Sequence, residues 1–396
     1  MRREPFAAAR RQRGDVCATQ AMAVSAPGVS LLDRAYALRD RLLASPRFHE
    51  ALAAFPLMRP IVRSRARALF DLCAGFSYTQ VLLACVRLRL FDHLAEGPLS
   101  APDVARRLAL SPDAALRLLR AAASLGLIRR SGRDRFGLGM AAAALRGNPG
   151  VAEMIEHDAM LYADLQDPVA LLRGGGGAGR VADFWGYAGA GDPAALPGAS
   201  VAAYSALMAV SQSFVAPDLV AAWPFARYRK LLDVGGGEGA FLCALAPRAP
   251  ALRLALYDLP AVAERAAARF AAQGLGERAE AIGGDFLRDG LPRGADLVSL
   301  VRVLHDHDDG AVAALLARIR AILPDGGTLI IAEPMSGDGS DPVADAYFGM
   351  FFLAMGAGRP RTREELSGLL RAAGFRGVRE IPTRRPMFAR LLAATA

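Results

Sequence analysis

The chain has 396 residues, 53% hydrophobic and 22% charged, with a formal net charge of +9, enough for two or three structural units around a large buried core. The basic excess is nearly all arginine, Lys230 being the only lysine, and with abundant Ala and Gly it reads as coding bias rather than a nucleic-acid footprint. Cys17, Cys73, Cys85 and Cys243 have no metal-ligand spacing, so no metal centre is expected and the thiols read as reduced and cytosolic.

In chain order, residues 1–30 are basic, polar and aperiodic, which predicts a disordered tail. They lack the apolar core of a signal peptide. Residues 31–92 predict helices, with Leu31, Leu32, Ala35, Leu38 and Leu42 at helical spacing and Pro46, Pro56 and Pro60 as punctuation. The run Ala68 to Val86 is interrupted by Asp71, Ser77, Thr79 and Gln80. It falls short of a membrane span and reads as a buried or interfacial helix. Ser100 and Ser111 are expected N-caps, followed by Gly126 and a small β-wing over 127–138, a winged-helix pattern. The expected domains are a tail (1–30), a helical and winged-helix dimerisation unit (31–173), a flexible glycine-rich linker (174–199) and an α/β unit (200–396). In the last, strands over 230–234, 253–257, 279–282, 296–301 and 327–332 alternate with helices, predicting a parallel Rossmann-like sheet. A final strand pair is expected at 376–381 and 387–393.

The densest chemistry lies in Leu231-Leu232-Asp233-Val234-Gly235-Gly236-Gly237-Glu238-Gly239. An apolar strand ends in an acid and opens into glycines, and a helix follows. Glycines let the backbone approach a ligand, and the helix start offers free N–H groups. Asp258, ending the next strand-like run, is placed to take a ribose diol.

These features resemble the class I S-adenosylmethionine-dependent small-molecule O-methyltransferases related to plant caffeate and bacterial hydroxyindole enzymes. The matching stretches are LLDVGGGEG (231–239), YDLP (257–260), GDF (284–286), RVLHDHDD (302–309), PDGGTLIIAEPM (324–335) and RTREEL through AGF (361–375). The resemblance implies S-adenosylmethionine as cofactor, with Asp233, Gly235 and Gly237 in its loop and Asp258 on its ribose. It places Asp285 and Phe286 beside the adenine and Arg302 nearby. His305 is implied to be the general base, with Asp306 and Glu333 as its acidic partners and His307 a bystander. An unperturbed imidazole is neutral at physiological pH. The family's second Glu is replaced by Pro360, so the usual clamp on the acceptor is incomplete.

The stretch 45–94 is similar to the hydroxycarotenoid O-methyltransferases of purple photosynthetic bacteria, whose reaction turns demethylspheroidene into spheroidene. This implies a hydroxycarotenoid substrate methylated at a tertiary 1-hydroxyl, and a homodimer in the cytoplasm. Arg59, Arg63, Arg65 and Arg67 precede the apolar stretch. They admit two readings: peripheral contact with an anionic membrane, or a solvated face beside a dimer helix. Three alternatives stay open: a phenol or polyketide O-methyltransferase, an NAD-dependent oxidoreductase, and a winged-helix ligand-sensing regulator.

Overall fold

The structure, a computed structural model, describes residues 30–185, 198–337 and 341–396. The expected tail therefore falls outside the described residues except for Ser30, as does 186–197 of the expected linker. Two compact units are present, one ending at Phe76 and the other spanning Ser77–Ala396.

In the first unit, helix Leu31–Leu43 starts at a capping box made by Ser30 and Asp33. Neither it nor helix Pro46–Ala54 buries a residue. Helix Arg59–Arg87 begins in this unit and buries only Leu83 and Cys85, both in the second. Of the expected buried or interfacial helix over 68–86, only Leu83 and Cys85 are buried, while Leu69, Phe70, Leu72 and Phe76 are exposed. By length and composition this helix could cross a membrane. An apolar face of that kind marks an interaction surface.

The second unit opens with a winged helix. Strand β1 (Leu99–Ser100) precedes helices Ala101–Arg107 and Pro112–Ser124, and strands β2 (Ile128–Ser131) and β3 (Arg135–Leu138) form the wing in the order β1-β3-β2. Ser100 and Ser111 cap these helices as expected, accepting from Asp103 N and Ala114 N. Leu90, Phe91, Leu94, Leu119, Ile128 and Phe136 fill the core beneath.

A parallel sheet follows: β4 (Lys230–Val234), β5 (Arg253–Asp258), β6 (Ala279–Gly283), β7 (Leu297–Val301) and β8 (Thr328–Glu333). Strands β9 (Arg376–Ile381) and β10 (Arg390–Thr395) complete the order β6-β5-β4-β7-β8-β10-β9, with β10 antiparallel to both neighbours. Every residue of β7 is buried, as expected of a strand covered on both faces. Chain order reverses between β4 and β7, and ligands bind beyond the carboxyl ends of strands at such a point.

Two features bear on the expected organisation. The winged helix and the sheet share one compact unit, because Leu161, Val181, Trp185, Phe352 and Met355 make a common core across the expected boundaries. The start of the supposed flexible linker is a fitted backbone crossing. Gly175, Gly176 and Gly177 all have φ near +77°, and a Cβ on Gly176 would collide with the Leu353 carbonyl oxygen. Asp164 then accepts from Arg180 N and Val181 N at 2.8 and 2.9 Å, starting helix Arg180–Phe184.

Candidate active site

The chain leaves β4 at Val234 and turns through Gly235 at φ +70°. A Cβ there would lie 2.8 Å from Val303 Cγ2, so the loop runs closer to its neighbour than any side chain allows. Gly237 N donates to Asp258 Oδ2 at 2.8 Å and Leu259 N to Oδ1 at 2.7 Å. The carboxylate at the end of β5 thereby fixes the loop after β4. Burial pushes the Asp258 pKa up to about 6, against the pull of those two amides.

A cavity of about 650 Å³ opens above these strand ends. Gly235, Gly237, Asp258, Asp285, Phe286 and Arg302 all line it, as do His305 and Asp306. Asp233 does not. Its side chain is buried beneath Gly236, with Oδ1 accepting from Ser299 Oγ at 2.6 Å and Oδ2 without a partner among the described residues. Burial raises its pKa to about 7. The expected cofactor contact is therefore corrected: Asp233 supports the loop from below.

Asp285 shapes its own turn, accepting from Leu287 N at 2.8 Å. Phe286 meets His307 edge to face at 5.3 Å. His307, expected to be a bystander, lies in the cavity wall, and burial lowers its pKa. Arg302 occupies the left-handed region at φ +59°, a conformation that costs about 1–2 kcal/mol outside glycine. It is held there by its N–H to Ala332 O at 2.8 Å and by Nη1 donating to Ser211 Oγ at 2.6 Å.

His305 sits in a single 3-10 turn, Leu304–Asp306, just after β7. Glu333 ends the adjacent β8. Its Oε1 accepts from Val303 N and Leu304 N at 2.8 and 2.7 Å, while Oε2 pairs with His305 Nδ1. On the other side of the ring, Nε2 lies 3.2 Å from Asp306 Oδ1. Phe352 stacks on the imidazole at 4.6 Å. Burial alone would lower the His305 pKa, but Asp306 and Glu333 outweigh it and raise it to about 9. The two carboxylates thus favour the protonated ring in the free protein, against the neutral imidazole that an unperturbed pKa implies.

Three contributors escape a reading of the sequence. Phe352 belongs to helix Pro342–Met355, whose Tyr347, Phe348, Phe351 and Phe352 form an aromatic cluster. Gln212 lines the cavity with its Oε1 buried and without a partner among the described residues. Arg361, only 3% exposed, donates to Leu304 O and His307 O at 2.6 and 2.7 Å. The aromatic helix spacing was a visible signal for the first, and Arg361 opens a matched stretch without its role being legible there; nothing local marks Gln212. The arrangement can hold a nucleoside over the glycine loop and move a proton at His305 Nε2.

Known proteins repeat this architecture. An O-methyltransferase domain matches residues 195–376, and an O-methyltransferase dimerisation domain matches 70–145. The demethylspheroidene O-methyltransferase of Cereibacter sphaeroides is 41% identical over 360 residues, covering 89% of this chain and 93% of the relative. The acetylserotonin O-methyltransferase of Mus musculus is 33% identical over 352 residues, covering 83% and 88%. Among solved structures, a methyltransferase of calicheamicin biosynthesis in its SAH-bound form superposes with a TM-score of 0.71 at 27% identity. That match covers 84% of this chain and 98% of the other.

Proposed function

The chain belongs to the S-adenosylmethionine-dependent O-methyltransferases, and on that premise we propose that it methylates the tertiary 1-hydroxyl of an acyclic carotenoid. The observation that carries the acceptor is the 41% identity, along nearly the whole chain, to a demethylspheroidene O-methyltransferase. Family membership removes the oxidoreductase and regulator readings. Arg117, on the would-be recognition helix, is in any case engaged by Asp113 at 2.7 Å. A phenolic acceptor is less favoured, since the acetylserotonin enzyme shares less of the sequence.

The cofactor fits the residues present. Space at Gly237 is open for 4 Å where a Cβ would point. The two amides engage one lone pair on each Asp258 oxygen, leaving further acceptor capacity for ribose hydroxyls. When bound, S-adenosylmethionine supplies an electrophilic methyl on a cationic sulfur. Asp285, Phe286 and His307 form the wall for the base, and Trp185, Tyr204, Met208 and Leu353 give an apolar wall suited to an isoprenoid.

His305 Nε2 would take the acceptor's hydroxyl proton as the oxygen–methyl bond forms and the methyl–sulfur bond breaks, its electron pair leaving with the sulfur as S-adenosylhomocysteine. Glu333 holds Nδ1 protonated and balances the imidazolium that results, and Asp306 flanks the same nitrogen that receives the proton. A tertiary alcohol is too weak an acid to be ionised beforehand, so proton and methyl must move together, with orientation supplying much of the rate.

Two solution results follow from the ionisation states. Asp258→Ala is expected to weaken S-adenosylhomocysteine binding roughly 10–100-fold, the loss of charge-assisted hydrogen bonds. In the wild type, affinity should fall as pH drops through about 6 and the carboxylate is protonated; titration calorimetry across pH 5–8 would measure both. For His305, activity needs the deprotonated ring, so kcat/KM should rise with pH along a limb near 9, its free-protein value. In kcat the limb should lie lower, because a cation in the cavity disfavours a second one. A limb at the same pH in both profiles would contradict this.

The dimerisation domain over 70–145 supports a homodimer. We place the enzyme in the cytoplasm with peripheral membrane contact upstream of that domain. There Arg59, Arg63 and Arg65 precede the exposed Leu69, a basic and apolar pairing suited to anionic lipid. The acceptor is tested with methyl-labelled S-adenosylmethionine and a detergent-dispersed 1-hydroxycarotenoid, with a catechol and a hydroxyindole in parallel. Label in the carotenoid is expected; label confined to the aromatics would overturn the carotenoid assignment.

A further inference from the structure

We propose that Arg361 is a positioning residue for methyl transfer, holding the His305 turn by its carbonyls while Glu333 holds it by its amides. The proposal rests on the reading of His305 as the base and adds a residue with no contact to the imidazole itself.

The turn Leu304–Asp306 is a single 3-10 turn, which has little stability of its own. Glu333 Oε1 takes the N–H groups of Val303 and Leu304 at its start. At its other end, Arg361 Nη1 donates to Leu304 O at 2.6 Å, Nη2 to His307 O at 2.7 Å, and Nε to Asp309 Oδ1 at 2.8 Å. A guanidinium at 3% exposure is costly to bury unless its donors are matched. Here they are spent on the backbone that carries the base. The planar fork reaches two carbonyls at once, which an ammonium on a flexible stem cannot do with the same geometry.

The segment bearing Arg361 wraps the same turn. Phe352 stacks on the His305 ring. Gly358, at φ +72°, lies so close that a Cβ would collide with the His305 carbonyl oxygen. The ring is therefore fixed between Glu333 and Phe352, and its backbone between Glu333 and Arg361. Displacement of a catalytic group by about 1 Å costs on the order of 10²-fold in rate.

The test compares Arg361→Lys and Arg361→Gln with His305→Ala and with Arg359→Ala. Arg359 is a surface residue whose ion pairs with Asp309 and Glu365 are solvent-exposed. Folded Arg361→Lys is expected to lose roughly 10–100-fold in kcat. Its KM for S-adenosylmethionine and its affinity for S-adenosylhomocysteine should stay within about threefold, and the alkaline limb should move down in pH as the carboxylates lose their grip on the ring. Arg359→Ala should keep kcat within about twofold. An unchanged kcat and limb in a folded Arg361 variant overturns the proposal. So does failure of both variants to fold, which would make Arg361 a residue of the fold alone. Full activity in His305→Ala would instead sink the general-base reading.

Discussion

His305→Ala is expected to lower kcat by roughly 10²–10⁴-fold, the usual contribution of a positioned general base, while S-adenosylhomocysteine affinity stays within a few-fold. The two effects separate because the cofactor-facing groups, Gly237 and Asp258, are tied to each other and not to the turn. Removing the ring leaves that pairing intact. Single-turnover methyl transfer, with affinity measured by calorimetry, distinguishes the outcomes. A variant that keeps more than about a tenth of wild-type kcat would mean that proton removal is not what His305 supplies.

Glu333→Gln should be nearly as damaging for a different reason. The amide oxygen can still accept from Val303 N and Leu304 N, as Oε1 does now. The NH₂ then faces His305 Nδ1 and donates to it. That forces the neutral ring's proton onto Nε2, the nitrogen that has to receive one. Tautomer reversal of this kind costs on the order of 10⁴-fold in the serine protease triad. A loss of roughly 10³–10⁴-fold with little change in melting temperature is the expected result. Glu333→Ala should add instability of about 3–5 kcal/mol, because a buried partner group is left uncompensated. Wild-type turnover in folded Glu333→Gln would rule out the orienting role.

Much of the fold was legible because buried parallel strands announce themselves as apolar runs. Leu231-Leu232 and Leu297 through Val301 needed no alternation to be read as strands. The meeting of His305 with Glu333 was legible too, since both close strands that such a sheet makes neighbours. Asp233 was misplaced for the same reason its strand was easy to find. With both faces of β4 buried, the pattern does not say which side a polar residue faces, and this one lies under the loop. The charge on His305 was hidden because Asp306 is visible beside it, but the balance of burial against two carboxylates exists only after folding. The role of Arg361 was hidden, although it opens a matched stretch: two of its three partners are main-chain carbonyls far earlier in the chain, and carbonyls leave no mark in a sequence. Gly176 and Gly177 misled through local reasoning, because glycine that serves close packing looks the same in text as glycine that serves flexibility.

The place of β10 in the sheet bears on how the enzyme is made. Arg390–Thr395 lies between β8 and β9, with Arg390 opposite Glu333. A nascent chain that has emerged only as far as β9 can form the five parallel strands, but it leaves the outer side of β8 as an open edge. The acid behind His305 is then on a border strand. The catalytic pair becomes an interior feature only when β10 has inserted beside β8. The interval before β10 inserts is when the chain is most exposed to mispairing.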